Sequence, residues 1–193
     1  MLYKQQSFSN FEPDLRYLDS FPFSREEFLF FDIETTGFSP RNTSLYLIGA
    51  VCFLDEHWTF LQWFAETPSE ECEILNAFLA FCRSFRAVVH FNGDGFDIPY
   101  LLFKAEKYTL SDTLSSMQSI DLYRLTRPYK KYLKLTHINQ KSLESFLGIE
   151  REDRYNGGEL IKISSTFRLK GVLTFSSGLI HKNVHVYGVD HMF

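Results

Sequence analysis

The chain has 193 residues and a net charge of −4, with 45% hydrophobic and 23% charged residues. This composition excludes a disordered tail, a collagen-like repeat and a coiled-coil rod, and the length fits one domain of ordinary size. Aromatic residues make up 17% of the chain, which is enough to fill a large core. No apolar run approaches the ~20 residues that cross a bilayer. The three cysteines are too few for a disulfide framework. We therefore expect a cytoplasmic protein with no membrane partner.

The apolar pattern predicts an α/β domain that follows a short N-terminal segment. Residues 1–26 are polar and mixed, and we expect them to form a loosely packed lead-in. Residues 28–31 form a continuous apolar run, which is typical of a strand buried on both faces. Residues 45–53 and 58–64 predict two further strands, and the short turn between them predicts an antiparallel hairpin.

A helix and a fourth strand follow this hairpin. Thr67 and Glu70 form a capping box, and Pro68 stands at the first helical position. The apolar face of the helix repeats at spacings of three and four: Ile74, Leu75, Phe78, Leu79, Phe81, Cys82 and Phe85. We then expect a strand and two helices, at residues 87–91, 97–107 and 140–147. Three antiparallel strands, then parallel strands, with flanking helices predict one α/β domain with a mixed central sheet over residues 27–193.

One stretch is basic although the whole chain is acidic. Between Asp121 and Lys141, six Lys or Arg residues stand against one Asp, a balance of +5. Tyrosines are interleaved with Lys130, Lys131 and Lys134, a pattern that can follow a phosphate backbone. The same charges also fit a solvated helix face, and the charge pattern alone does not choose between these interpretations.

Carboxylates stand at the ends of two predicted strands. Asp32 and Glu34 are two residues apart, so on a strand both side chains point to one face. Paired carboxylates repel each other, and a hard divalent cation such as Mg²⁺ or Mn²⁺ removes that repulsion. The alternative is that both are simply exposed where the strand ends. Asp97 follows a turn with two glycines and is either a ligand or a carboxylate that caps the next helix.

Taken together, these motifs resemble those of the DEDD family of 3′–5′ exonucleases, which have the ribonuclease H-like fold. Asp-Ile-Glu-Thr-Thr-Gly at residues 32–37 matches the first family motif, and Asn-x-x-x-Phe-Asp at residues 92–97 matches the second. The resemblance covers residues 28–162. Supporting stretches at 45–49, 120–124, 142–149 and 156–159 make the chain most similar to the YprB-like branch.

The resemblance implies a metal-dependent 3′–5′ exonuclease that hydrolyses phosphodiester bonds with two Mg²⁺ or Mn²⁺ ions. Asp32 would bridge both ions, Glu34 would complete one site and Asp97 the other. His181 would act as general base, and the product would be a 5′-nucleoside monophosphate. The partner would be DNA or RNA with a single-stranded 3′ end, and no small-molecule cofactor is expected. The residues expected to guide the strand are Thr36, Asn92, Lys130, Lys131 and Lys134.

The chain departs from the family pattern at the fourth acidic position. When His181 is aligned as the base, His185 stands where the family has Asp, and it becomes the candidate fourth metal ligand. A second alignment takes His185 as base and Asp190 as acid, and a third interpretation is a frayed C-terminus. Asp121 also fits the family pattern, and we interpret it as structural or helix-capping. The alternative functions are a catalytically weakened module that binds nucleic acid or protein, and a structure-specific endonuclease.

Overall fold

The computed structural model describes residues 1–8 and 16–148, and two short strands near the end of the chain. The chain divides into two compact units, Met1–Ile138 and Asn139–Phe193. Because the candidate site residues from 32 to 134 all fall in the first unit, its sheet and helices are what place them.

A six-stranded mixed sheet forms the centre of the first unit. Its strand order is β1-β4-β3-β2-β5-β6. β1, β4, β3 and β2 pair antiparallel in that order, whereas β5 lies parallel to both β2 and β6. The predicted mixed sheet is therefore confirmed. The bounds of the strands are β1 Leu2–Phe8, β2 Phe28–Thr35, β3 Leu45–Leu54, β4 His57–Phe64, β5 Ala87–His90 and β6 Gln118–Asp121.

Two of these strands were not predicted from the sequence. Residues 2–8 were expected to be loosely packed, but they form the edge strand β1 along β4. Only Phe8 of this strand is buried, so β1 carries no apolar alternation that would reveal it. β6 has four residues, of which only the last two are buried. The domain boundary at residue 27 stays a prediction. β1 precedes this boundary in the chain and belongs to the same sheet as the strands that follow it.

The helices of the first unit begin where local signals place them. α1 (Glu71–Cys82) follows a single 3₁₀ turn, Pro68–Glu70, and the predicted capping box is formed. α2 (Asp97–Lys107) has the predicted bounds, and α3 (Leu122–Thr126) follows β6 directly. Tight local signals of this kind also give the β3–β4 hairpin, in which both turn residues, Asp55 and Glu56, have positive φ.

The second unit contains α4 (Gln140–Phe146), which begins where the Asn139 side chain accepts a hydrogen bond from the backbone N–H of Ser142 at 2.8 Å. Gly148, with φ +72°, ends the helix as predicted. β7 (Val172–Leu173) and β8 (Val184–His185) pair antiparallel. Across the described residues, no helix combines the length and the hydropathy needed to cross a membrane.

β2 has two different faces, and this alternation positions the candidate site. Leu29, Phe31 and Ile33 point into the core that α1 and α2 cover. On the opposite face Phe30 packs edge-on against Trp58, with ring centroids 6.0 Å apart. The residues that continue this second face toward the end of the strand are Asp32 and Glu34. Along β2, this second face therefore changes from buried and aromatic at Phe30 to acidic at Asp32, two residues later.

Candidate metal centre

Asp97 is joined to β2 because β2 is longer than its neighbour. β5 pairs with β2 only along Phe28–Phe30 and ends at His90. Among the described residues, the second half of β2 therefore has no strand partner on that side. The backbone N–H of Ile33 lies in this second half and donates to Oδ1 of Asp97 at 3.3 Å. Since Ile33 stands between Asp32 and Glu34, this bond brings the first residue of α2 next to both carboxylates.

The three carboxylates are close enough to disfavour one another's charge. Asp97 is 6% exposed, and burial, followed by the charge of Asp32, raises its pKa to about 7. Burial and then the charge of Asp97 raise the pKa of Glu34. Asp32 is exposed and Glu34 half-buried, so the cluster opens to solvent. Three hard oxygen donors under mutual repulsion are the donor set that fits Mg²⁺ or Mn²⁺.

A β-bulge adds a residue to this site that the sequence analysis missed. Glu34 pairs with Leu47 and Thr35 with Leu45, so Tyr46 is the extra residue on β3. The Tyr46 side chain hydrogen-bonds Glu34, and its ring meets that of Phe64 edge-on at 6.5 Å. Bulges re-aim side chains next to sites of this kind. A shift of pairing register leaves no signal in a single sequence, so Tyr46 was not predictable.

The turn that leads into Asp97 is fixed by a buried histidine. Gly93 N–H donates to Nδ1 of His90 at 3.0 Å, and burial lowers the pKa of His90. The neutral ring therefore carries its proton on Nε2, which donates to Oγ of Ser119 at 2.8 Å. A Cβ on Gly93 would lie 2.7 Å from the ring, so only glycine fits. Asn92 is exposed, with φ +62°, and its predicted contact with nucleic acid stays a prediction.

His90, Asp94 and Asp121 form a second group of possible ligand atoms, which lie within 4.8 Å of one another. Each has protein partners. Asp121 accepts the N–H groups of Asn92 and Tyr123 at 2.8 and 2.9 Å and caps α3, in agreement with its interpretation as structural. Asp94 pairs with Arg124 at 2.9 Å. The group joins β5, β6 and α3 beside the acidic cluster, and the charge of Asp121 adds to the rise in the pKa of Asp97.

The loop between β2 and β3, residues 36–44, borders the carboxylates, and we call it the site loop. Thr36 closes it, since its N–H donates to the carbonyl of Ser44 at 2.9 Å and its hydroxyl accepts the Ser44 N–H at 2.8 Å. Phe38 is 89% exposed, and its ring meets that of Phe96, the residue before Asp97, at 5.9 Å. An exposed ring is thus held next to the start of α2.

Lys130, Lys131 and Lys134, which we call the lysine cluster, lie beyond α3 in the turns that follow a short 3₁₀ helix. All three are exposed, and so are Tyr129 and Tyr132, at 59% and 84%. The segment is therefore not one continuous helix face, and its charges and rings point to solvent. Whether the cluster contacts nucleic acid stays a prediction.

The predicted C-terminal site residues fall largely outside the described part of the chain. His181 and Asp190 lie outside the described residues. The backbone of His185 belongs to β8, where it pairs with Val172, and its side chain is outside the described part. The roles of all three stay predictions.

Residues 29–182 match the RNase_H superfamily. Because this match spans well over half of the chain, the protein belongs to that superfamily. The mixed six-stranded sheet with its flanking helices is accordingly a ribonuclease H-like fold. No curated protein sequence matches the chain.

Solved structures with the same fold include two that superpose above a TM-score of 0.5. The family B DNA polymerase of the archaeon Pyrobaculum calidifontis has a TM-score of 0.54 at 14% identity, over 70% of this chain and 20% of the polymerase. Exonuclease I from Methylocaldum szegediense has a TM-score of 0.51 at 12% identity, over 65% and 36% of the two chains. Exonuclease I of E. coli, in complex with a dT13 oligonucleotide, has a TM-score of 0.46 at 18% identity, over 64% and 36%. The chain thus spans about a fifth to a third of the proteins it resembles. At identities of 12–18%, these likenesses show that the fold is shared.

Proposed function

We propose that this protein is a metal-dependent 3′–5′ exonuclease. The observation that carries the proposal is the cluster of Asp32, Glu34 and Asp97. Two of these carboxylates lie on one face of a strand, and the third is hydrogen-bonded to the peptide between them. A protein gains no stability from such a cluster, because burial and mutual repulsion raise the pKa values of Glu34 and Asp97. We infer that cations bind to the three carboxylates during function and offset their repulsion.

Asp32, Glu34 and Asp97 would hold two divalent cations. When bound, such ions activate a water molecule and stabilise the leaving 3′-oxygen of an in-line displacement. The chain's own residues set the geometry. Ile33 N–H holds one oxygen of Asp97, the Tyr46 hydroxyl orients Glu34, and the His90 turn fixes the start of α2. In the proposed reaction, water adds to the phosphorus of the last phosphodiester, and a 5′-nucleoside monophosphate and a shortened strand leave.

A single-stranded 3′ end is the proposed substrate. Phe38 offers an exposed ring next to the carboxylates, and base stacking on such a ring tolerates any sequence. Thr36 and Asn92 are both exposed on the two segments that border the cluster. The lysine cluster would contact the phosphates of the strand behind the terminal nucleotide. The assignment to the YprB-like branch and a cytoplasmic location belong to the same proposal.

The fourth acidic position separates this proposal from its main alternative. If His185 takes that position, the site carries −3 instead of −4, and Mg²⁺ affinity falls because imidazole is a poor ligand for Mg²⁺. His181 would then act as general base. The alternative is a weakened ribonuclease H-like module that binds nucleic acid or a protein without cleaving it, and the sequence at residue 185 is what favours it.

An end-label experiment tests the proposal. The purified protein is incubated with 5′-labelled single-stranded DNA and RNA in Mg²⁺, Mn²⁺ or EDTA. The exonuclease shortens the labelled strand one nucleotide at a time from its 3′ end and releases 5′-monophosphates, and only in the presence of metal. Internal cuts of defined position would indicate an endonuclease. Binding of the labelled strand without cleavage in any metal would favour the weakened module.

Substitution within the cluster links the activity to the site. Asp32→Asn and Asp97→Asn should each lower the rate by at least ~10³-fold, because the ion clamp stabilises the transition state by several kcal/mol and ~1.4 kcal/mol is a factor of ten. Glu106→Gln is the matched control, since Glu106 is exposed on the same helix as Asp97. Normal turnover in either aspartate variant would contradict the site assignment.

A further inference from the structure

A buried lysine lies in the last turn of α2, and the proposed reaction makes no use of it. Lys104 is 1% exposed and Glu71, its partner on α1, is 2% exposed. The Lys104 ammonium contacts both oxygens of Glu71, at 2.8 and 3.0 Å. Buried ion pairs of this kind contribute little net stability, because an apolar pair of similar volume fills the space as well. The pair therefore calls for a reason other than stability.

The third contact of Lys104 supplies that reason. Its Nζ donates to the backbone carbonyl of Thr43 at 2.6 Å, and Thr43 belongs to the site loop. An apolar residue at position 104 could not make this bond. Glu71 reaches the same end of the loop, since Oε1 accepts the N–H of Leu45 at 2.7 Å. Both members of the ion pair thus hold the chain where the site loop enters β3.

Hydroxyl groups add to the same attachment. The Thr43 hydroxyl lies 3.0 Å from that of Tyr100, which is also on α2. It donates to the carbonyl of Ser39 at 2.7 Å, so the attachment at Thr43 continues to the residue after Phe38. Tyr100 in turn packs against Phe96, with ring centroids 5.6 Å apart. The site loop is therefore fixed to α2 near its exposed ring and again at its far end.

The same helix carries the carboxylate of the candidate metal centre. Asp97 and Lys104 are seven residues apart, which places them on one face of α2 about 10 Å apart along its axis. Both are buried. A rigid helix that begins with Asp97 and grips the site loop at Lys104 fixes the loop relative to the carboxylates. Thr36 and Phe38 lie on that loop, where a strand terminus would contact them.

We propose that Lys104 is a positioning residue, which holds the site loop through the Thr43 carbonyl and so determines how tightly a nucleic-acid 3′ terminus binds beside the carboxylates. This inference rests on the proposed function for its substrate. It assigns Lys104 no contact with the substrate or with a metal ion. Its effect is on substrate binding, through the loop, and the chemical step proceeds at the same rate once the terminus is bound.

The test variant is Lys104→Met combined with Glu71→Gln. The double change removes both charges together, so no unpaired charge remains buried, and the glutamine oxygen still accepts the N–H of Leu45. The Thr43 carbonyl loses its donor, and the Tyr108 hydroxyl, which donates to Oε2 of Glu71 in the wild type, faces the glutamine amide group instead. Tyr100→Phe is the second variant, since it removes the hydroxyl that contacts Thr43 and keeps the ring. Lys107→Met is the matched control, because Lys107 is exposed on the same helix.

Three quantities are measured for each variant: the melting temperature, the hydrogen exchange of residues 36–44, and kcat and KM on a single-stranded oligonucleotide with Mn²⁺. We expect the double variant to melt close to the wild type, with exchange in the loop at least ~10-fold faster. We expect KM to rise about 10-fold while kcat stays within about 2-fold, the signature of weaker binding in ground and transition states alike. Tyr100→Phe should show the same pattern to a smaller degree, and Lys107→Met none of it.

Other outcomes overturn the proposal. If KM is unchanged in a folded double variant, the Lys104–Glu71 pair has only a structural role. The same conclusion follows if kcat falls only in proportion to a lower melting temperature. If the double variant does not fold, Tyr100→Phe decides by the same criterion. If the wild type neither binds nor cleaves the oligonucleotide, the proposed function fails and the substrate part of this inference fails with it. Loop exchange then reports separately whether Lys104 holds residues 36–44.

Discussion

Asp97→Asn should stabilise the metal-free protein while it abolishes activity. Burial, followed by the charge of Asp32, raises the pKa of the Asp97 carboxyl from its ordinary value of 3.8 to about 7 in the folded protein. Between these values the folded state binds more protons, so the contribution of Asp97 to stability falls as pH rises. A shift of about three units corresponds to ~4 kcal/mol above pH ~7. Asparagine keeps the acceptor for Ile33 N–H and carries no charge, so it avoids this destabilisation.

The assay is urea or thermal unfolding of both proteins in EDTA from pH 4 to pH 9. At pH 8 the variant should melt on the order of 10 °C higher, because ~1 kcal/mol shifts the melting temperature of a chain of this length by ~2–4 °C. Near pH 4 the two should coincide. His90 opposes this trend in both proteins, since burial lowers its pKa and stability therefore falls as pH drops below ~6.5. Comparing variant with wild type cancels that contribution.

Metal should reverse the order of stability. Mn²⁺ binds the folded wild type through the three carboxylates and should raise its melting temperature, whereas Asp97→Asn should respond much less. Glu106→Gln should behave as the wild type throughout. The reasoning is refuted if the wild type is the more stable protein at pH 8 in EDTA, because the carboxylates would then not repel one another as the structure indicates.

Three further predictions concern other parts of the molecule. Alanine substitution of the whole lysine cluster should weaken nucleic-acid binding. It should also make the salt dependence of binding shallower by about 0.7 log unit for each single-strand phosphate that a lysine no longer neutralises. An unchanged slope would indicate that the cluster is only a solvated surface. With His185 as fourth ligand, the wild type should prefer Mn²⁺ and lose activity below pH ~6.5. His185→Asp should then raise Mg²⁺-supported activity about ten-fold or more. If His185 is instead the general base, His185→Asp and Asp190→Asn should each abolish activity. Gly93→Ala should destabilise the fold by ~1–3 kcal/mol in chemical unfolding, since its Cβ would lie 2.7 Å from the buried His90 ring. The Cβ of Gly95→Ala would lie 3.2 Å from Asn92, so this variant should lose less stability. Equal losses of stability would contradict the role of the ring.

The sequence by itself determined the elements whose causes are local. The capping box from Thr67 to Glu70 starts the first helix, and α2 spans residues 97–107 as predicted. The period-two spacing placed Asp32 and Glu34 on one face of β2. These features depend on residues two to four apart, so the order of amino acids contains all that is needed to predict them. The edge strand β1 shows the limit of this, because a strand with one buried residue has no period to detect.

Only the tertiary structure decided which groups surround the carboxylates. Tyr46 reaches Glu34 through a bulge in the pairing of β2 with β3, and Asp97 meets the N–H of Ile33 because β5 ends early. Lys104 is a lysine in an amphipathic helix, a position that is ordinarily solvated, yet it is buried against Glu71 and the site loop. Each of these interactions joins segments that are distant in the chain. Their formation depends on strand register, strand length and helix docking, which the packing of the whole core sets and no local pattern records.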